Sequence, residues 1–85
     1  MAKKKKAQSE KSSQMRLAAT ALAAGVSKQT IEYYIMIDLI KPIRHKDRYG
    51  RFFDDKIVRR IKLIRELNNS GYTLREIREI YIKDR

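Results

Sequence analysis

The 85-residue chain has no cysteine and only one histidine, His45. The first absence removes any disulfide framework, thiol nucleophile or cysteine-based zinc cluster, and makes a reducing cytoplasm the expected compartment. One imidazole cannot fill the three or four positions of a usual metal site, so His45 is read as a solvent-exposed or phosphate-facing loop residue and no metal is expected. Long apolar runs are missing too. None approaches the ~18 residues that would span a bilayer, and the N-terminal lysines are followed by no apolar signal segment. The chain therefore reads as neither membrane-bound nor secreted. No carboxylate pair, nucleophile–base pair or phosphate loop stands at a usable spacing, so no enzymatic activity and no cofactor are expected. Acidic residues are scarce, with ten against 21 lysines and arginines.

That imbalance gives a formal net charge of +11 and a pI near 10.2. A small basic domain of this kind points to a polyanion, most often nucleic acid. Charge alone does not choose among DNA, RNA and lipid. The length allows one small domain, which must rest on a single apolar core. Residues 1–12 carry five lysines against one glutamate without periodicity and are read as a disordered basic arm. The folded domain is expected over residues 13–85.

Within that domain the small residues from Ala18 to Ala24, with Leu17 and Leu22, stop at Gly25, the residue type that most readily takes the positive φ that ends a helix. Ser27 follows as an N-cap, and a second helix runs to about Asp38. Ile31 and Tyr34 share a packing face of that helix, while Gln29, Thr30 and Tyr33 share another. This is the pattern of a helix-turn-helix. Leu39, Ile40 and Ile43, broken by Pro42, suit an edge strand or an extended connection. Residues 44–51 then hold Arg44, Lys46, Arg48 and Arg51, with Tyr49 and Gly50. With the aromatic return Phe52–Phe53 they read as a two-stranded wing with a basic tip. Asp54 or Asp55 caps a third helix with apolar positions Ile57, Ile61, Ile64 and Leu67, ended by Gly71. Thr73 and Glu76 form a capping box, and Leu74, Ile77, Ile80 and Tyr81 make the inner face of a fourth helix. The fold class is thus mostly α: a winged helix-turn-helix of four helices and a short β wing.

The succession of Gly25-Val26-Ser27, Thr30-Ile31-Glu32-Tyr33-Tyr34, the Leu39-Ile40-x-Pro42 stretch and Arg51-Phe52-Phe53 resembles the DNA-binding domain of MerR-family transcription regulators over about residues 15–82. The resemblance implies that the second helix enters the major groove of double-stranded DNA while the wing grips the flanking backbone. Carried over by position, Lys28, Gln29 and Thr30 face bases, and Tyr33, Tyr34 and Arg51 face the backbone. Ser27 at the helix start and the wing residues Arg44, Lys46, Arg48 and Tyr49 complete the expected DNA-binding set. The chemistry suits this division, since Gln pairs with adenine N6 and N7, Lys suits guanine O6 and N7, and tyrosine hydroxyls and arginines donate to phosphates.

Four departures from the family pattern bear on the reading. Glu32 replaces a usual arginine, and either accepts from a cytosine amino group or pairs with a neighbouring lysine. Asp38 replaces a usual glycine, and aspartate tolerates the left-handed conformation. Phe53 replaces a common tyrosine and is read as core. The sequence ends at Arg85, where members of the family continue into a dimerising helix and an effector-binding segment. The expectation is accordingly either a fragment of a longer regulator or a small stand-alone protein, self-associating on DNA or through a segment beyond this chain. The leading reading is a cytoplasmic, nucleoid-associated bacterial, phage or plasmid regulator that binds DNA sequence-specifically and, as the resemblance implies, bends and untwists promoter DNA. The alternatives are an excisionase-like or architectural DNA-bending or segregation protein and, from a different class, a basic RNA- or ribosome-associated protein or a protein-interaction module.

Overall fold

The structure, a computed structural model, describes residues 14–82, with side chains described through residue 80. The basic arm expected over residues 1–12 and the side chain of Tyr81 lie outside the described residues. Four α-helices follow one another: α1 (Leu17–Ala24), α2 (Lys28–Met36), α3 (Asp55–Asn69) and α4 (Leu74–Ile77), the last running into a π-helical segment, Arg78–Ile82.

Their beginnings are set by side chains that accept from free N–H groups of the first turn. Ser27 caps α2 through the Thr30 amide, and Asp54, rather than Asp55, caps α3 through the Ile57 amide, both at 3.0 Å. On α4 the capping box is complete: Thr73 Oγ1 accepts from the Glu76 amide (3.0 Å) and Glu76 Oε1 from the Thr73 amide (2.8 Å). The endings of α1, α2 and α3 share one solution. A left-handed residue, Gly25, Asp38 or Gly71, follows each helix. The amide after it then reaches back to a carbonyl of the last turn: Val26 to Ala21 (3.1 Å), Leu39 to Tyr34 (2.8 Å) and Tyr72 to Leu67 (3.1 Å). With the bonds Gly25 to Leu22, Asp38 to Ile35 and Gly71 to Asn68, which span three residues each, these are three Schellman motifs. Asp38, with φ of 65°, is the non-glycine residue that takes this conformation among the described residues.

One core gathers all four helices. Ile31 from α2, Ile61 and Ile64 from α3, Ile77 from α4 and Phe53 are fully buried, with Leu39 and Ile40 from the connection beside them. Burial of each such side chain contributes about 1.5–3 kcal/mol. On α3 the buried stripe is Val58, Ile61 and Ile64, flanked by the partly buried Ile57 and Leu67. Ile80, expected on the inner face of the fourth helix, is instead exposed (63%). The cause is the π-helical turn: with i→i+5 bonds each residue advances less around the axis, so the three-residue step from Ile77 no longer returns to the core.

The expected two-stranded wing also takes a different form. Among the described residues no strand forms, and the pairing is a single antiparallel rung between Ile43 and Phe52, with N–H···O distances of 2.7 and 2.9 Å. The neighbouring residue Phe53 pairs on the opposite side with Met15, at 2.7 and 2.8 Å. Successive peptide groups of an extended chain point to opposite sides, so residues 52–53 bridge two partners with one rung each. The Ile43–Phe52 rung stops on the loop side where Gly50, at φ 101°, turns the chain away, and the Met15–Phe53 rung is bounded by helices that begin at Leu17 and Asp55.

Because a Cβ at Gly25 would meet nothing within 4 Å, Gly25→Ala carries only the backbone strain of its φ of 71° and is expected to lower stability by about 1 kcal/mol in urea denaturation. Asp38→Gly is expected to raise it, relieving the same strain at the end of α2.

Candidate nucleic-acid interface

Helix α2 divides cleanly into two faces. Ile31 and Tyr34 enter the core, while Lys28, Gln29, Glu32, Tyr33 and Met36 form an exposed stripe at helical spacing. Lys28 and Gln29 project from the first turn, where no acidic residue offsets the positive end of the helix dipole. Thr30 is half-buried, and its hydroxyl lies 2.9 Å from that of Ser27. Both hydroxyls are therefore engaged in starting the helix. Tyr33 is 46% exposed, but Tyr34, which the resemblance puts on the DNA backbone, is 5% exposed and packs with the core. Its spacing of three from Ile31 gives it the packing face. Burial pushes its phenol pKa up, with Arg65 acting in the opposite sense. Arg65 itself donates to the Gly25 carbonyl at 2.6 Å and so ties α3 to the turn between α1 and α2.

Beside this stripe, residues 44–51 form a basic loop closed at its base by the Ile43–Phe52 rung. Arg44, Lys46 and Arg48 are exposed, Tyr49 stands 93% exposed at the tip, and Arg51 is half-buried. Of the two places expected for His45, solvent-exposed or phosphate-facing, the first does not hold. The residue is half-buried, with Nε2 donating to Gln14 Oε1 at 2.6 Å and the ring edge-on to Phe52 at 5.0 Å. Phe52, 2% exposed, also carries two guanidiniums over its ring: Arg48 at 4.6 Å and Arg16 at 4.4 Å from the centroid. Sequence reasoning did not single out Arg16. It stands at the N-cap of α1, far along the chain from Phe52, and nothing local signals their meeting.

The two halves of the surface are joined by Glu32 and Arg51. Arg51 Nη1 donates to Glu32 Oε1 at 2.9 Å and Nη2 to Oε2 at 2.8 Å, a two-pronged bridge from α2 to the end of the basic loop. Within the fold the partner of Glu32 is an arginine rather than the neighbouring lysine expected as one alternative. Arg51 keeps three further N–H donors. The hydrogen bonds from Arg51 hold the Glu32 carboxyl below its ordinary pKa of about 4.5, and the same contact raises Arg51. A lowered carboxylate pKa means that the bridge stabilises the folded state above the ordinary value and that this contribution is lost as pH falls through the lowered one. In an NMR titration the Glu32 carboxyl of the wild type is expected to titrate below the ordinary value, and that of Arg51→Ala at it. Equal midpoints in the two proteins would show that the bridge does not form in solution.

With this geometry in view, the comparisons with known proteins are informative. Residues 15–81 match the family described as MerR HTH family regulatory protein. Over 65 residues the chain is 29% identical to the HTH-type transcriptional regulator AdhR of Bacillus subtilis (strain 168), an alignment that covers 76% of this chain and 46% of that protein. The chain thus spans about half the length of the curated relative it matches. No solved structure matches it. The matched region takes in every described helix from α1 onward, both bridging residues 52–53 and the basic loop, and on that ground the chain belongs to the MerR helix-turn-helix family.

Proposed function

We propose that this chain binds double-stranded DNA sequence-specifically as part of a transcription regulator, with α2 in the major groove and the basic loop acting as a wing on the flanking backbone. The observation that carries this reading is the single surface made by the exposed stripe of α2 and the loop, held together by the Glu32–Arg51 bridge. An α-helix fits the major groove, and residues of its first turns reach base edges. Lys28 and Gln29 are the freest side chains there and take the role of base readers, with Thr30 supporting them through its local contact to Ser27. Tyr33, Arg44, Lys46, Arg48, Tyr49 and Arg51 supply phosphate donors around them. Family membership and the regulator named among its relatives support the same reading.

Selection of bound sequences from a random duplex pool tests this directly, and the number and spacing of recovered half-sites report how many copies bind. Gln29→Ala is expected to relax the preference at one base pair and to weaken the cognate site by ~1–3 kcal/mol. An unchanged selected sequence would remove Gln29 from the readers. Wild-type affinity is expected to fall linearly with salt on logarithmic axes, with a slope near −5 for ~6 phosphate contacts. Arg51→Ala is expected to weaken all sequences alike and to make that slope shallower. A salt-independent affinity of the wild type would sink the DNA reading.

A further inference from the structure

The base of the loop holds a cluster that the family match does not explain. Arg16 and Arg48 place their guanidinium carbons 4.4 and 4.6 Å from the centre of one ring, that of Phe52, and so within about 9 Å of each other. Neither takes part in an ion pair among the described residues, where the two bridges are Arg51–Glu32 and Arg78–Asp38. Two uncompensated cations brought this close repel each other, and the negative face of an aromatic ring offsets only part of that repulsion. An anion beside the pair would offset that repulsion.

The position of Arg16 is fixed from three sides. Its neighbour Met15 is paired through two backbone hydrogen bonds with Phe53, and its own carbonyl accepts from the Thr20 amide (3.0 Å) and hydroxyl (2.8 Å). Its guanidinium fills the space over Gly50, where a Cβ would come within 2.5 Å of Nη1. The φ of 101° disfavours a side chain at Gly50, whereas the contact with Arg16 is one that the flexible end of the arginine can relieve. The Phe52 ring gives the guanidinium an apolar neighbour while the Arg16 side chain stays exposed, so N–H groups of it can reach a phosphate. A side chain already held in place has less rotamer entropy to lose when an anion binds.

We infer that Arg16, stacked with Arg48 on Phe52, is a phosphate-binding residue of the interface, gripping the DNA backbone at the root of the wing rather than at its tip. The inference rests on the DNA-binding reading above, and its ligand is a phosphodiester of duplex DNA. Binding of a fixed duplex by the full chain is to be measured across a salt series for wild type, Arg16→Gln and Arg16→Lys, with thermal melting of each protein. The expected result is a slope shallower by about 0.9 for Arg16→Gln, the loss of one phosphate contact, with the sequence selected from a random duplex pool unchanged. Arg16→Lys, which keeps the charge, is expected to retain the wild-type slope. Equal slopes for all three proteins would overturn the role of Arg16 while leaving DNA binding intact. So would an equal loss of slope in both variants, which would trace the effect to the fold and not to the charge. A wild type without any salt slope would instead overturn the DNA reading on which the inference stands.

Discussion

Two adjacent residues, Phe52 and Phe53, fasten two parts of the chain that the helices alone would leave loose. Phe52 pairs with Ile43 and closes the basic loop, while Phe53 pairs with Met15 and fixes the entry to α1. Their side chains divide the same way. Phe53 joins the helical core, fully buried, and Phe52 lies under Arg16, Arg48 and His45. Through this dipeptide the loop's place relative to α2 becomes a property of the core. A loop attached only at its ends would sample many positions and lose that freedom on binding.

Four of the ten acidic residues act visibly on structure. A chain of net charge +11 repels itself when compact, so each carboxylate near a cation or a helix start matters more than its number suggests. Asp54 and Glu76 satisfy amides at the starts of α3 and α4. Asp38 ends α2 in the left-handed conformation and lies 3.7 Å from Arg78 on the π-helical segment. Glu32 joins the helix stripe to the loop. The cations on the proposed DNA face, Lys28, Arg44, Lys46 and Arg48, have no such partners among the described residues. A surface left positive in this way attracts a polyanion and steers its approach.

Glu32, which stands where the resemblance implies an arginine, takes a structural partner in the fold. An arginine at this place would add a positive charge beside Arg51. Glutamate converts the same two positions into a bridge, gives up one charge directed at DNA, and sets the angle between helix and loop. Both side chains remain partly in water, at 29% and 47% exposure, so the bridge acts on orientation more than on stability.

The sequence by itself determined the four helices and where they begin, because these depend on neighbours along the chain, but not the form of the wing or the π-helical turn after α4. Ser27, Asp54 or Asp55, and Thr73 announce helix starts through side chains that reach three residues ahead, with Glu76 reaching back to Thr73, and Gly25 and Gly71 announce endings through backbone freedom that is theirs locally. The buried sides of α2 and α3 follow from a 3.6-residue period in the same way. Only the tertiary structure decided the rest. The partner of Glu32, the stacking of Arg16 and Arg48 on Phe52, the pairing of Phe53 with Met15 and the hydrogen bond from His45 to Gln14 join residues distant in sequence, and no local spacing encodes them. The exposure of Ile80 was hidden for a related reason: the π-helical turn breaks the period from which its burial was read. The candidate surface was legible as a set of residue types on one helix and one loop, but its shape comes from contacts that exist only once the chain has closed on itself.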